Sequence, residues 1–110
     1  MILITGGICS GKKTMAEKLL GKSREEFSSQ EVAFLDRCIK NEPAASPEEL
    51  SERLQSFRIV IAPETGCGIV PEDKKDREFR EKLGRTSCLL GEKADQVIKM
   101  VCGIPTFLKK

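Results

Sequence analysis

A stretch near the start of the chain has the spacing of a phosphate-binding loop. Gly6 and Gly11 are separated by four residues, and Lys12 follows the second glycine. Glycines let a phosphate approach successive backbone N–H groups without interference from a Cβ atom, and a following helix adds partial positive charge. A turn that binds nothing is the alternative. The pattern G-x-x-x-x-G-K-[ST] predicts that nucleotide phosphates are bound by Gly6, Gly7, Ile8, Cys9, Ser10, Gly11, Lys12, Lys13 and Thr14, with Lys12 reaching the β and γ phosphates.

The last position of this pattern holds a lysine. Lys13 stands where a serine or threonine hydroxyl normally ligates Mg²⁺, and a protonated ammonium cannot coordinate a metal ion. Thr14 is rotated by about 100° around the helix, so it cannot take over without a change of register, although it can still donate to the α-phosphate. Two interpretations stay open: Lys13 replaces part of the metal's charge, or it points into solvent while the metal keeps other ligands.

Two carboxylates are placed to complete such a site. Asp36 closes the apolar run 31–36, which we expect to be a strand, and Glu64 follows just after the run 58–62. The carboxyl ends of parallel strands form the ligand crevice of an open α/β sheet, so Lys12, Asp36 and Glu64 should converge there as catalytic residues. Asp36 is the predicted Mg²⁺ ligand. Capping of a turn is the alternative role for an aspartate at that position.

Several other kinds of catalysis are excluded by composition. The chain has no histidine, which removes a Ser/His/Asp triad, a Cys/His dyad and an imidazole general base. Its five cysteines are an odd number and include no C-x-x-C pair, so reduced, packed thiols fit better than disulfides or a zinc site. Phosphate chemistry at the glycine loop is therefore the chemistry that the residues favour.

Strands that alternate with helices are predicted to position these residues. A strand stops at Gly6, and the helix after the loop should end at Gly21. Ser46 and Glu49 form an S-x-x-E capping box that starts a helix bearing Leu50, Leu54 and Phe57. A later helix carries an apolar stripe of Phe79, Leu83, Leu90 and Ala94, and Phe107 is expected in the core rather than stacked on a base. The predicted strands are 2–5, 31–36, 58–62 and 96–102, and the other predicted helices are 11–20 and 72–94.

Length and composition fit one compact domain over residues 1–110. The chain is 39% hydrophobic and 33% charged with a net charge of +2, which excludes a disordered chain and a strongly basic nucleic-acid binder. It has no apolar run long enough to span a membrane and no signal-peptide pattern, so a cytoplasmic location is expected. Alternating strands and helices predict an α/β layered domain with a mainly parallel sheet of about four strands.

Further short stretches match one family in order along the chain. They resemble the bifunctional adenosylcobinamide kinase / adenosylcobinamide-phosphate guanylyltransferase family of cobalamin biosynthesis. Together the matches cover residues 1 to about 20 and about 31 to 110. Residues 63–71 resemble its N-E-V-G-x-G-I-V-P, 79–85 its F-R-D-x-L-G-R, 94–97 its A-D-x-V, 103–105 its G-x-P, 5–12 its T-G-G-A-R-S-G-K, and 34–38 its L-L-D-C-L.

This resemblance implies a P-loop NTPase-like fold of three layers, oligomers that are often trimeric, and use of ATP or GTP with Mg²⁺. It implies phosphorylation of the aminopropanol hydroxyl of adenosylcobinamide, then GMP transfer through a covalent guanylyl-histidine. The present chain has no histidine, and the segment that carries it in the family is much shorter here. Guanylyl transfer by that route is therefore not expected.

Three interpretations of function follow. The leading one is a purine nucleoside triphosphate-binding protein that transfers a phosphoryl group to a corrinoid alcohol and forms a homo-oligomer. The alternative is a catalytically silent nucleotide-binding or assembly module of the same fold. A P-loop kinase for another small alcohol is the third.

Overall fold

The computed structural model describes residues 1–7, 10–64 and 73–109. Its strands are β1 (Ile2–Gly6), β2 (Val32–Phe34), β3 (Ile59–Pro63), β4 (Gln96–Val101) and β5 (Ile104–Lys109). Its helices are α1 (Lys12–Leu20), α2 (Leu35–Asn41), α3 (Pro47–Leu54) and α4 (Lys74–Lys93), with a short 3₁₀ helix at Arg24–Glu26. The described strands form one sheet in the order β2-β3-β1-β4-β5, in which β1 to β4 are parallel and β5 is antiparallel.

Helices cover both faces of this sheet. Successive residues of a strand point to opposite faces, so Leu3 packs on one side of β1 and Ile4 on the other. Residues of α2, α3 and α4 pack on the first face, and α1 packs on the second. The layers and the parallel order confirm the predicted α/β class.

Local signals set several helix ends as predicted. The Ser46 side chain accepts a hydrogen bond from the Glu49 N–H at 3.2 Å, and Pro47 is the first residue of α3. Gly21 ends α1 with a φ of 67°, and its N–H donates to the Glu17 carbonyl at 2.8 Å. These ends depend on contacts within a few residues, so the sequence alone suffices to find them.

The longest helix packs as its apolar stripe predicts. Leu83, Leu90 and Ala94 are buried, and Phe79 is half-buried against the same cluster. The helix begins at Lys74; the predicted start at Glu72 lies outside the described residues. Within the described ranges, no helix combines the length and the apolar character that crossing a membrane requires.

The predicted strand 31–36 is wrong at its carboxyl end. β2 stops at Phe34, and Asp36 lies in the first turn of α2 instead of closing a strand. Leu35 and Ile39 are buried, and Cys38 packs against the same cluster, so apolar residues at i, i+3 and i+4 favour a helix here. The Asp36 carboxylate is therefore presented from the start of a helix.

The sheet has one strand more than the four expected. Cys102 and Gly103 form a two-residue turn with φ values of 49° and 76°, the left-handed conformation that tight hairpins favour. The turn ends β4 at Val101 and returns the chain as β5. Phe107 lies on this edge strand and is 43% exposed, so the expectation that it packs in the core is wrong.

Candidate phosphate-binding site

The turn between β1 and α1 requires glycine at two points. A Cβ atom on Gly6 would lie 2.6 Å from the Met100 carbonyl oxygen and 2.6 Å from Ser10 Oγ. Gly11 is the N-cap of α1 with a φ of 95°. Because a glycine cap has no side chain, the first N–H groups of α1 stay open to an anion. Ile8 and Cys9, which the motif also assigns to phosphates, lie outside the described residues.

Backbone hydrogen bonds attach this loop to the neighbouring strands. The Glu64 N–H donates to the Gly6 carbonyl at 2.9 Å, just after β3 ends. The Gly103 N–H donates to the Ser10 carbonyl at 2.9 Å, from the turn between β4 and β5. The position of the loop therefore depends on both halves of the sheet.

The Lys12 ammonium lies across the loop. Its Nζ donates to the Gly6 carbonyl at 3.0 Å and to the Gly7 carbonyl at 2.6 Å, and these hydrogen bonds are partly buried. Carbonyl oxygens are neutral acceptors, so these two hydrogen bonds position the ammonium and add no negative charge of their own. They hold Lys12 Nζ at the mouth of the glycine loop, where the motif places the β and γ phosphates.

A cavity of about 590 Å³ opens beside the loop on the side of β2 and β3. Four cations and one carboxylate are among its described lining residues, which leaves +3 if all are ionised. A concave site lined by one sign of charge concentrates ligands of the opposite sign. The charged lining residues are Lys12, Lys13, Arg24, Arg37 and Asp36, and Thr14 also lines the cavity.

Two of these cations, Lys13 and Arg37, lie over the ring of Phe34. The Arg37 guanidinium carbon lies 4.4 Å from the centre of the Phe34 ring, and Lys13 Nζ lies 5.6 Å from it. Both distances are within the range of a cation–π interaction. Lys13 is exposed, yet its ammonium lies against the cavity wall formed by Phe34. Phe34 and Arg37 both lie in the stretch 34–38 that resembles L-L-D-C-L, but the sequence predicted a role in the site for Asp36 alone in that stretch.

A third cation is placed by an ion pair. Arg24 donates from Nη2 to Glu17 Oε1 at 2.7 Å and from Nε to the same oxygen at 3.2 Å. The Arg24 side chain, through this hydrogen bonding, holds the pKa of the Glu17 carboxyl below its ordinary value. Arg24 Nη2 also donates to Thr14 Oγ1 at 3.4 Å. Arg24 lies in the short 3₁₀ helix after α1, and its pairing with Glu17 of α1 is what brings it to the cavity.

The three predicted catalytic residues are divided between two places. Lys12 and Asp36 line the same cavity. Glu64 is not among the described lining residues of that cavity, and its Oε1 lies 3.4 Å from Lys99 Nζ of β4. Lys12 and Asp36 therefore lie together at the carboxyl ends of the strands, as expected. Glu64 contacts the glycine loop through its backbone N–H, and its carboxylate lies near Lys99 instead.

Mg²⁺ is the metal that the motif implies. Among the described residues that line the cavity, Asp36 supplies one carboxylate that could ligate it. Mg²⁺ in nucleotide sites is commonly held by one or two carboxylates, phosphate oxygens and water. Asp36 offers such an oxygen at the cavity wall. Among the described residues, no group of three Cys, Asp or Glu side chains could enclose a metal by itself. Asp36 and a bound nucleotide would therefore hold the ion together.

The glycine loop, the adjoining helix start and the parallel sheet define a P-loop type of α/β protein. The chain belongs to the cobinamide kinase / cobinamide phosphate guanyltransferase family, whose model matches residues 35–108. This match confirms the family that the sequence motifs predict. It begins at Leu35, so the phosphate loop is identified by its motif and geometry instead.

A curated relative agrees with this family. The chain is 36% identical over 58 residues to the bifunctional adenosylcobalamin biosynthesis protein CobU of Salmonella typhimurium strain LT2. The aligned stretch covers 53% of this chain and 32% of that protein. The chain therefore matches about a third of the length of this relative.

Proposed function

We propose that this chain binds a purine nucleoside triphosphate, ATP or GTP, and transfers its terminal phosphoryl group to a corrinoid alcohol in cobalamin biosynthesis. The observation that carries the proposal is the cavity beside the glycine loop. Lys12 and Asp36 both line it, and the four cations and one carboxylate among its described lining residues leave +3 if all are ionised. A triphosphate is complementary to that charge. Family membership supports the corrinoid acceptor.

The proposed reaction needs positioning and charge stabilisation more than covalent help from the protein. The acceptor hydroxyl oxygen forms a bond to the γ-phosphorus as its proton is released to solvent water, and the bond from that phosphorus to the β–γ bridging oxygen breaks. Lys12 stabilises negative charge on the transferring group and on the leaving diphosphate. Bound Mg²⁺, held by Asp36, would neutralise phosphate charge. Glu64, beside the loop and paired with Lys99, is proposed to orient the acceptor.

Guanylyl transfer through a histidine is not part of this proposal. These 110 residues contain no histidine that could carry the guanylyl group. A second candidate function, a nucleotide-binding module without catalysis, is favoured by one observation: Lys13 replaces the hydroxyl that usually ligates Mg²⁺. A single nucleotide-binding domain over residues 1–110, homo-oligomer assembly and a cytoplasmic location stay predictions from the sequence.

Calorimetric unfolding with ATP or GTP, each with Mg²⁺ or EDTA, tests nucleotide binding. Ligand at 100 times its dissociation constant should stabilise the protein by about 2.7 kcal/mol. Stabilisation that requires Mg²⁺ and is much smaller in Lys12→Ala supports the kinase, whose turnover is then measured with adenosylcobinamide. Absence of stabilisation by either nucleotide contradicts the proposal.

The Lys13→Ser variant separates the kinase from the silent module. It restores the hydroxyl of the motif without changing the rest of the loop. If the parent chain binds nucleotide equally in Mg²⁺ and EDTA, and only Lys13→Ser hydrolyses it with Mg²⁺, the native chain is the silent module. If the parent already turns over with Mg²⁺, the kinase proposal stands.

A further inference from the structure

A second cavity, of about 520 Å³, adjoins the first on its β2 side. The two cavities share Lys13, Arg24, Phe34 and Arg37, so these residues form the boundary between them. The volume of the second cavity is within the range of small-molecule sites and much larger than a phosphate ion requires. A nucleotide held at the glycine loop would leave this space for another molecule.

The boundary of this cavity is cationic. Its described lining residues include three cations and no carboxylate. Arg24 is paired with Glu17, but within the described part of the chain Lys13 and Arg37 form no ion pair and instead lie against the Phe34 ring. Burial raises the pKa of the Cys38 thiol, which also lines the cavity, so this group stays neutral and adds no negative charge.

The interior of the cavity is apolar and partly aromatic. Phe27, Phe34 and Phe57 line it together with Val32 and Ala33. Rings of this kind favour a flat partner, which can stack on them or meet their edges. Ser28, Ser29 and Asn41 add hydrogen-bonding groups to the lining.

These two features select one kind of ligand. A neutral alcohol would gain nothing from Lys13 and Arg37, and inorganic phosphate would leave the aromatic lining unused. A guanidinium binds phosphate oxygens through paired N–H donors, and the Arg37 guanidinium lies over the Phe34 ring with no ion pair among the described residues. An anion with a flat apolar body uses both the cations and the rings.

We propose that the second cavity binds a phosphate monoester of an aromatic body, with Lys13 and Arg37 on the phosphate and the phenylalanines on the ring, while the glycine loop holds the nucleotide. The inference rests on the proposed function in that the first cavity is assigned to the nucleotide. It names a second ligand class for the same cleft, and it does not depend on phosphoryl transfer.

Fluorescence titration with 1-naphthyl phosphate tests this site directly. The chain contains no tryptophan and no tyrosine, so the naphthyl emission is free of protein background. Titrations are run with a saturating non-hydrolysable ATP analogue. 1-Naphthol is titrated in the same way as one half-ligand, and inorganic phosphate, the other, is added as a competitor of 1-naphthyl phosphate. We expect 1-naphthyl phosphate to bind at least about tenfold more tightly than either half-ligand, because each lacks one of the two contacts.

The Arg37→Gln variant locates the phosphate. It should weaken 1-naphthyl phosphate about tenfold while leaving 1-naphthol unchanged. Lys40→Gln is the matched control, because Lys40 is also an exposed cation of α2 but lies over Phe79, 5.5 Å from that ring centre. Its effect should stay within about twofold. Phe34→Leu should weaken both aromatic probes, since it removes the stacking ring but keeps an apolar side chain.

Failure of this inference can be separated from failure of the proposed function. Lys12→Ala should reduce the stabilisation by ATP and leave 1-naphthyl phosphate binding unchanged. If the ATP analogue displaces 1-naphthyl phosphate, or Lys12→Ala abolishes its binding, the monoester lies in the glycine loop and the second site is wrong. If Arg37→Gln and Lys40→Gln weaken 1-naphthyl phosphate equally, the second site is also wrong, because binding then reflects only the net charge of the protein.

Discussion

The two sides of the glycine loop differ in charge and in construction. On the β2–β3 side lie the cavities of about 590 and 520 Å³ with Lys13, Arg24 and Arg37. On the β4–β5 side lies a smaller cavity of about 310 Å³, lined by apolar residues such as Met15, Met100 and Pro105 and by one lysine, Lys18.

The difference follows from how each strand is continued. On one side β2 leads directly into α2, and the start of this helix brings Asp36 and Arg37 to the carboxyl edge of the sheet. On the other side β4 turns back as an antiparallel strand through Cys102 and Gly103, so β4 is continued by a strand and not by a helix. A net charge of only +2 is therefore compatible with a strongly cationic site, because topology gathers the cations on one side.

The largest expected effect tests the β4–β5 side. Ile98 is fully buried on β4, whereas Ile104 on β5 is 66% exposed. Ile98→Thr should lower the free energy of unfolding by about 2–4 kcal/mol, since it removes buried carbon atoms and buries a hydroxyl. Ile104→Thr should change it by less than about 0.5 kcal/mol. Urea unfolding measures both. A cost at Ile104 that approaches the cost at Ile98 and depends on protein concentration would mean that a second copy covers β5.

The next effect concerns the point where the two sides meet. Gly6→Ala places a Cβ atom against the Met100 carbonyl of β4 and the Ser10 side chain, at a φ of 150° that favours glycine. We expect a loss of about 2–3 kcal/mol in the free energy of unfolding. Gly7→Ala is the control, because a Cβ there meets nothing within 4 Å. Equal losses in the two variants would show that Gly6 is not sterically constrained.

The third comparison uses two lysines of α1, Lys12 and Lys18, which lie on different sides of the loop, and measures the affinity for ATP. Lys12→Ala should weaken ATP about tenfold to a hundredfold, since a charge-assisted contact to phosphate is lost. Lys18→Ala removes the same charge from the β4–β5 side and should change the affinity by less than about twofold. Isothermal titration calorimetry measures both affinities. Similar losses would indicate that the phosphates lie between the two sides.

The smallest expected effect is the pH-dependent contribution of the Glu17–Arg24 ion pair to the stability of the protein. The pKa of Glu17 is lowered in the folded protein, mainly by its hydrogen bond from Arg24. A lowered folded-state pKa stabilises the protein above the unfolded value, and this contribution is lost as pH falls through the folded value. The Tm advantage of the parent over Glu17→Gln should therefore be small at pH 7 and decrease as the pH falls below the ordinary pKa of a glutamate carboxyl.

Glu25→Gln controls for the change in net charge in that experiment. Glu25 is an exposed glutamate, whereas Glu17 is half-buried, and within the described residues Glu25 forms no ion pair. Its Tm at pH 7 should equal that of the parent. A Glu17→Gln variant that matches the parent at every pH would show that the Arg24 pair contributes nothing to stability.

Much of the fold and part of the site could be predicted because their causes are local. The glycine spacing, the helix that follows it and the Ser46 cap each depend on residues within one or two turns of chain. Alternation of apolar strands with amphipathic helices is also visible in the sequence, and it indicates a parallel sheet. The ordered motifs identified the family, and the family match confirms it.

The boundary of strand β2 and the existence of β5 could not be settled in this way. Leu35 fits either the end of a strand or the start of a helix, and only its packing with Ile39 on the α4 face decides between them. The residues after Cys102 carry no alternating pattern, since β5 is exposed on both faces and neither face needs to be apolar.

What the sequence by itself determined is the phosphate loop, the layered α/β class and the family. What the tertiary structure decided is the surroundings of the loop: the Phe34 ring under Lys13 and Arg37, the approach of Arg24 to Thr14, and the pairing of the Glu64 carboxylate with Lys99. Glycine conformations and helix caps are set by neighbouring residues. Contacts between side chains on different elements depend instead on strand order and on where each helix begins, and these are fixed only when the whole sheet packs.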